Sequence, residues 1–168
     1  SKVSKNTLMN YIKKNSDNIY LKDSSIVNNP SLQILQTIDH TKLFSSLNPF
    51  DFGKISYLHS QNDILAAGGK VNSLSVSLGV PFSENSVEKF YLEYFMEGIR
   101  HEADKNDCMI SSGHSYQSQE PGITLTLNGE IKSNVSKNSA KVGDLIYLSK
   151  QLGTCLLYTS DAADELRS

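Results

Sequence analysis

Two stretches constrain this chain more than any others: Asn48-Pro49-Phe50-Asp51-Phe52-Gly53 and Asn62-Asp63-Ile64-Leu65-Ala66-Ala67-Gly68-Gly69. Asn48 can cap a helix, Pro49 suits its first turn, and the double glycine stops it. Between these signals Phe52, Ile55, Leu58, Asn62, Leu65 and Ala66 follow helical spacing. The helix so defined carries an acid, Asp63, inside a small and apolar run. Upstream, Gln36-Thr37-Ile38-Asp39 closes a strand-like segment on a second acid. Acids at a strand end and on the inner face of a helix usually have a cation or a polyphosphate to hold.

The remaining segments suggest an α+β chain. Leu8, Met9 and Ile12 have helical spacing within Lys2 to Lys14, with Ser4 or Asn6 able to cap. Asn15-Ser16-Asp17-Asn18 is a turn by composition, followed by extended segments at Ile19-Tyr20-Leu21 and Ile26-Val27. Asn28-Asn29-Pro30-Ser31 turns the chain into Leu32 to Ile38, where Leu32, Ile34, Gln36 and Ile38 share one face of a hairpin strand. Leu74, Val76, Leu78 and Val80 alternate as a half-buried strand that Pro81 ends. Ser86 to Lys105 predicts the longest helix, with Phe90, Tyr94 and Ile99 among its apolar positions. Cys108-Met109-Ile110 reads as a short strand running into a loop, Ser111-Ser112-Gly113-His114-Ser115. Ile123, Leu125 and Leu127 alternate again, and Asn128-Gly129 is a strong turn signal. Gly143-Asp144 leads into a last strand, Leu145 to Leu148.

Composition narrows the function classes. A chain of 168 residues suits one domain with a moderate core, or part of a larger protein. The net charge of -2 gives no general attraction to nucleic acid or to an anionic membrane. No apolar run approaches the roughly 20 residues that cross a bilayer, and residues 1–15 hold no signal-peptide pattern. Two cysteines, Cys108 and Cys155, are too few for a disulfide framework; this favours a reducing compartment and leads us to expect a cytoplasmic protein. Asn134-Val135-Ser136 has the form of a glycosylation triplet, as chance supplies in an asparagine-rich chain.

Asp23, Asp39 and Asp63 each follow or sit within apolar structure, and three aspartates from three elements could converge on magnesium. The plain alternative puts Asp23 in a turn, Asp39 at a helix cap and Asp63 on a helix surface. Gly113-His114-Ser115 after a strand could approach a phosphate through backbone amides, or His114 could be an ordinary exposed histidine. His59 suits packing or partial exposure, Lys2 a solvated terminus, and Cys108 a small buried hydrophobe.

Taken together, the segments Gln36 to Asp39, Asn48 to Gly53, Asn62 to Lys70 and Ser112 to Ser115 resemble the selenide, water dikinase (selenophosphate synthetase) family. Glu120-Pro121-Gly122, Val142-Gly143-Asp144-Leu145 and Leu152-Gly153-Thr154 extend the likeness, which runs from about Lys2 to Thr154. The resemblance implies an aminoimidazole-ribonucleotide-synthetase-like N-terminal domain, residues 1–154, with a mixed or antiparallel sheet, helices on one face, and homodimers formed through the sheet. It implies that ATP, selenide and water give selenophosphate, AMP and phosphate. Carried over by position, Lys2 is the catalytic lysine and contacts ATP. Asp23 and Asp63 are magnesium ligands, and Asp39 and Asp63 line the ATP site. Tyr20, Leu21 and Lys22 border the nucleotide, and Gly113, His114 and Ser115 form a phosphate-proximal loop reaching across the dimer.

The departures are specific. The family's nucleophilic cysteine or selenocysteine lies just before the lysine, and here the sequence starts at Ser1; its second domain would follow Thr154. His59 replaces a usual asparagine, Ser111-Ser112-Gly113 a more glycine-rich version, Lys70-Val71 lacks a common proline, and Gln151 stands at another. These changes suit a divergent member whose fragment is inactive alone, another enzyme of the superfamily acting in purine synthesis or on thiamine phosphate, or a dimerising homologue without chemistry. Cys155 to Ser168 resembles a translated transposase adapter and is set aside as a non-native tail.

Overall fold

Leu32–Lys42 is a strand because residues on its helix-facing side, beginning with Leu35 and Thr37, enter a core while their neighbours stay outside. In the computed structural model, which describes residues 25–29, 32–44, 46–83, 85–133, 135 and 140–147, this strand is β2 and pairs antiparallel with β1, Ser25–Asn29. The expected hairpin is present, but the face shared by Ile34, Gln36 and Ile38 is the outer one; Ile38 is 68% exposed. The expected elements at Lys2–Lys14 and Ile19–Leu21, together with Lys2, Tyr20, Leu21, Lys22, Asp23 and the tail, lie outside the described residues.

The chain continues through α1 (Pro49–Ala66), β3 (Gly69–Pro81), α2 (Asn85–Lys105), β4 (Met109–Ser118) and β5 (Gly122–Ile131). Among the described residues the sheet order is β1-β2-β5-β3-β4, and of these pairs only β3 and β4 run parallel, with α2 as their crossover. The fold is α+β with a mixed sheet, as expected.

One face of the sheet is covered by both helices. Leu74, Val76 and Leu78 of β3 and Ile123, Leu125 and Leu127 of β5 meet Phe52, Tyr57 and Ile64 of α1 and Phe95, Ile99 and Ala103 of α2. The opposite face carries Ser73, Ser75 and Ser77 beside Thr124, Thr126 and Asn128; there Gln36 Nε2 donates to Asn128 Oδ1 at 2.9 Å.

Asn48 caps α1 as expected, its Oδ1 accepting from the Asp51 amide at 2.9 Å, and Gly68 takes up a φ of 78° after the last turn. The buried stripe differs from the apolar one. Of Phe52, Ile55, Leu58, Asn62, Leu65 and Ala66 only Phe52 is buried, and the packed face is Phe52, Gly53, Ser56, Tyr57, Ser60, Gln61 and Ile64. Small residues are buried there because close neighbours demand them: a Cβ on Gly53 would lie 2.4 Å from Phe95 O of α2, and one on Gly98 2.0 Å from Phe50 O of α1.

Two other local expectations change. Asn128-Gly129 is no turn but lies inside β5, where the space beside Lys70 O leaves only 2.5 Å to a Cβ on Gly129. On α2, Phe90 and Tyr94 are more than two-fifths exposed while Ile99 is buried.

The chain forms two compact units, Ser1–Ser136 and Lys137–Ser168. In the second, the Lys141 amide donates to Asp144 Oδ2 at 2.8 Å around Gly143, whose φ is 102°. Residues 145–147 form no strand, because no neighbouring strand supplies a ladder for them among the described residues, and Leu148 lies outside that set.

Candidate functional site

The helix-facing side of β2 changes character along its length. Leu35 belongs to the apolar core, but the next positions on that side are Thr37, Asp39 and Thr41. α1 lies over them and supplies Ser56, Ser60 and Asp63 in place of large apolar side chains. Thr37 Oγ1 donates to Asp63 Oδ2 at 3.2 Å, and Thr41 Oγ1 and Ser56 Oγ are 2.6 Å apart. Between those two ties sits Asp39, whose Oδ2 is buried with no hydrogen-bond partner among the described residues. The strand and helix thus enclose a polar seam beside the core.

This placement corrects one expectation about Asp39. It does not close a strand, since β2 runs on to Lys42 and Asp39 faces Leu125 across the ladder. The strand continues because β5 extends far enough to pair with it. Nor does either acid occupy its plain alternative position: Asp39 caps no helix, and Asp63 is half-buried and bonded to a strand.

A buried carboxylate oxygen without a partner is costly, because the charge has lost water and gained nothing in return. Donors of this kind, two carboxylates with hydroxyls around them, are hard oxygen ligands that fit magnesium better than a thiophilic metal. The fit is therefore good. Asp39 and Asp63 are the acids brought to the seam; among the described residues no group of three or more His, Cys, Asp or Glu gathers.

Gly113, His114 and Ser115 lie elsewhere, and not in a loop. They are the middle of β4, paired with Val76, Ser77 and Leu78 of β3. Their small polar composition reads as loop, yet an edge strand needs only one ladder and tolerates exposed serines. All three are exposed, and His114 stacks on Tyr116 at a ring separation of 6.3 Å and 17°. Beneath them a cleft of about 420 Å³ opens between β4 and α2, floored by Val76, Leu92, Met96 and Ile110. Within one chain β4 is three ladder steps from β2, roughly 14 Å at ordinary strand spacing. The structure therefore does not join these residues to Asp39 and Asp63.

His59 is exposed on α1. Cys108 is buried, and burial pushes its thiol above the usual range, which makes it inert as a nucleophile. The residues that sequence reasoning missed are Thr37, Thr41 and Ser56. Their signal was available: polar side chains at every second position after Leu35 mark a strand face that stops being core.

Residues 21–131 match the family described as AIR synthase related protein, N-terminal domain, and the chain belongs to that family. Among curated relatives it is 33% identical over 122 residues to selenide, water dikinase of Yersinia pestis, covering 71% of this chain and 34% of that protein. The Campylobacter jejuni protein of the same name is 28% identical over 169 residues, covering 95% of this chain and 48% of the relative. The chain thus spans half or less of these relatives. Among solved structures, AaThiL complexed with AMPPCP and TMP superposes with a TM-score of 0.69 at 26% identity, covering 83% of this chain and 46% of that one. Thiamine monophosphate kinase from Aquifex aeolicus gives 0.67 at 25% identity, with 82% and 46% covered. No helix among the described residues is long and apolar enough to cross a membrane.

Proposed function

We propose that residues 1–154 are the N-terminal ATP-binding and dimerisation part of a selenophosphate synthetase, which converts ATP, selenide and water into selenophosphate, AMP and phosphate. The observation that carries this reading is the β2–α1 seam, where Asp39 keeps a buried oxygen with no partner among the described residues, beside a tethered Asp63. The names of the relatives supply the substrate, and the fold's likeness to a protein complexed with AMPPCP supports a nucleotide.

In this reading Asp63 and Asp23 hold magnesium, and Asp39 shares the ATP site. The ion, when bound, supplies charge neutralisation and a template for the phosphates. Lys2 closes over the nucleotide, adds positive charge and excludes water. The backbone of Tyr20, Leu21 and Lys22 borders the nucleotide. Gly113, His114 and Ser115 act on the site of a second copy, which suits their distance from the acids of their own chain. Among the described residues no strand pairs with the outer edge of β4, and that edge carries neither lysine nor proline, the protections that isolated edges carry; a homodimer would cover it. The buried thiol of Cys108 accords with a cytoplasmic setting. Residues 155–168 are a non-native tail.

The likeness to thiamine monophosphate kinase favours one second reading, phosphoryl transfer to a thiamine phosphate. Phosphorus NMR of the polypeptide extended to its native ends, given magnesium-ATP with selenide or with thiamine monophosphate, separates them. Selenide-dependent AMP, phosphate and selenophosphate are expected. ADP formed only with thiamine monophosphate would assign the second reading, and no turnover with either would assign a non-catalytic homologue.

A further inference from the structure

The sheet's helix-facing side is built of Leu35, Leu74, Val76, Leu78, Ile123, Leu125 and Leu127, and Thr37 interrupts it. Thr37 is only 3% exposed. Valine has the same branched shape and an equal liking for strands, and would fill the position without a hydroxyl to desolvate. The hydroxyl is nevertheless there, and it points at Asp63 Oδ2 from 3.2 Å. Asp63 sits on a helix and Thr37 on a strand, so this bond fixes a carboxylate against a rigid neighbour rather than within its own turn.

The geometry points to Thr37 as a positioning residue: its hydroxyl holds the Asp63 carboxylate in the orientation that receives the cation, an inference that rests on the nucleotide–magnesium reading of the seam. Residues of this kind do not touch the ion. They restrict the rotamer of the group that does, and losing one costs about 10- to 100-fold in metal affinity in known sites. The neighbouring tie between Thr41 and Ser56 fastens the same strand to the same helix about two turns away. Deleting the Thr37 hydroxyl should therefore remove the strand's hold on Asp63 Oδ2 without parting the two elements.

The test uses the 168-residue chain and the probe AMPPCP, titrated calorimetrically over a series of magnesium concentrations. Thr37→Val should raise the magnesium concentration at half-maximal binding about tenfold, while the melting temperature moves little. Thr37→Ser, which keeps the hydroxyl, should restore it to within about threefold. A purely structural threonine would instead shift the melting temperature and leave the magnesium midpoint alone, which overturns the proposal. Asp63→Asn separates the two levels. Loss of magnesium dependence in Asp63→Asn with an unchanged midpoint in Thr37→Val defeats positioning only. Unchanged dependence in Asp63→Asn, or no magnesium-dependent binding by the unsubstituted chain, defeats the reading of the seam and the positioning with it.

Discussion

Asp39 keeps a carboxylate oxygen out of water with no partner among the described residues, a cost that a ligand would relieve. Sites of this kind trade stability for function. Asp39→Asn should leave stability equal or higher, because a neutral amide is cheaper to desolvate than a charge, while weakening magnesium-dependent nucleotide binding at least tenfold. Urea unfolding alongside AMPPCP titration measures both; a variant that is less stable and binds equally well contradicts the argument. A second buried pair has a pH signature. Burial holds the Tyr57 hydroxyl and the Cys108 thiol beside it above their ordinary values. The folded chain then keeps protons that the unfolded chain releases, so stability is complete below the ordinary thiol range and falls as pH rises beyond about 8.5. Tyr57→Phe should flatten the decline above pH 10, the ordinary tyrosine value, in unfolding curves collected from pH 7 upward. At this scale the acids were legible and their partners were not. Asp39 and Asp63 stand out as charges among apolar residues, whereas Thr37 and Ser56 look like any polar side chain until strand and helix meet.

At the scale of elements, the α1–α2 crossing depends on two glycines that admit the facing backbone. Alanine at position 98 would gain about 1 kcal/mol of helix propensity, but its Cβ would fall 2.0 Å from Phe50 O. Overpacking against backbone costs about 1–3 kcal/mol and often more, so Gly98→Ala should destabilise by about 2 kcal/mol in denaturant titration. A stabilised variant would show that the helices can part without loss. The same packing explains which elements the sequence disclosed. β3 and β5 alternate cleanly because one face is core and the other a serine–threonine surface. Beyond Ile110, β4 reads as a loop because an edge strand with exposed serines has no alternation to detect, and its pairing with β3 depends on α2 returning the chain to the sheet. Asn128-Gly129 misled for a related reason: glycine was required there by the neighbouring strand, not by a turn. Likewise, α1 buries hydroxyls and glycine, so counting apolar residues found the helix and missed its buried face.

For the whole molecule, the β2–α1 seam that holds the acids and the Gly113-His114-Ser115 strand β4 lie at different parts of the fold, with β5 and β3 between β2 and β4. Two copies joined through the β4 edge would explain why that edge lacks charge. Sedimentation equilibrium should find dimers, and the double substitution His114→Lys and Tyr116→Lys should shift the chain to monomer by placing charges on the joined edge. A monomer before substitution would contradict this arrangement. The most direct test of the central claim, that the β2–α1 seam is the magnesium–nucleotide site, is the equilibrium binding of AMPPCP by the unsubstituted chain and by Asp63→Ala, each with and without magnesium. Binding should require magnesium and be weakened at least tenfold in Asp63→Ala; equal, magnesium-dependent binding by both proteins would contradict the assignment.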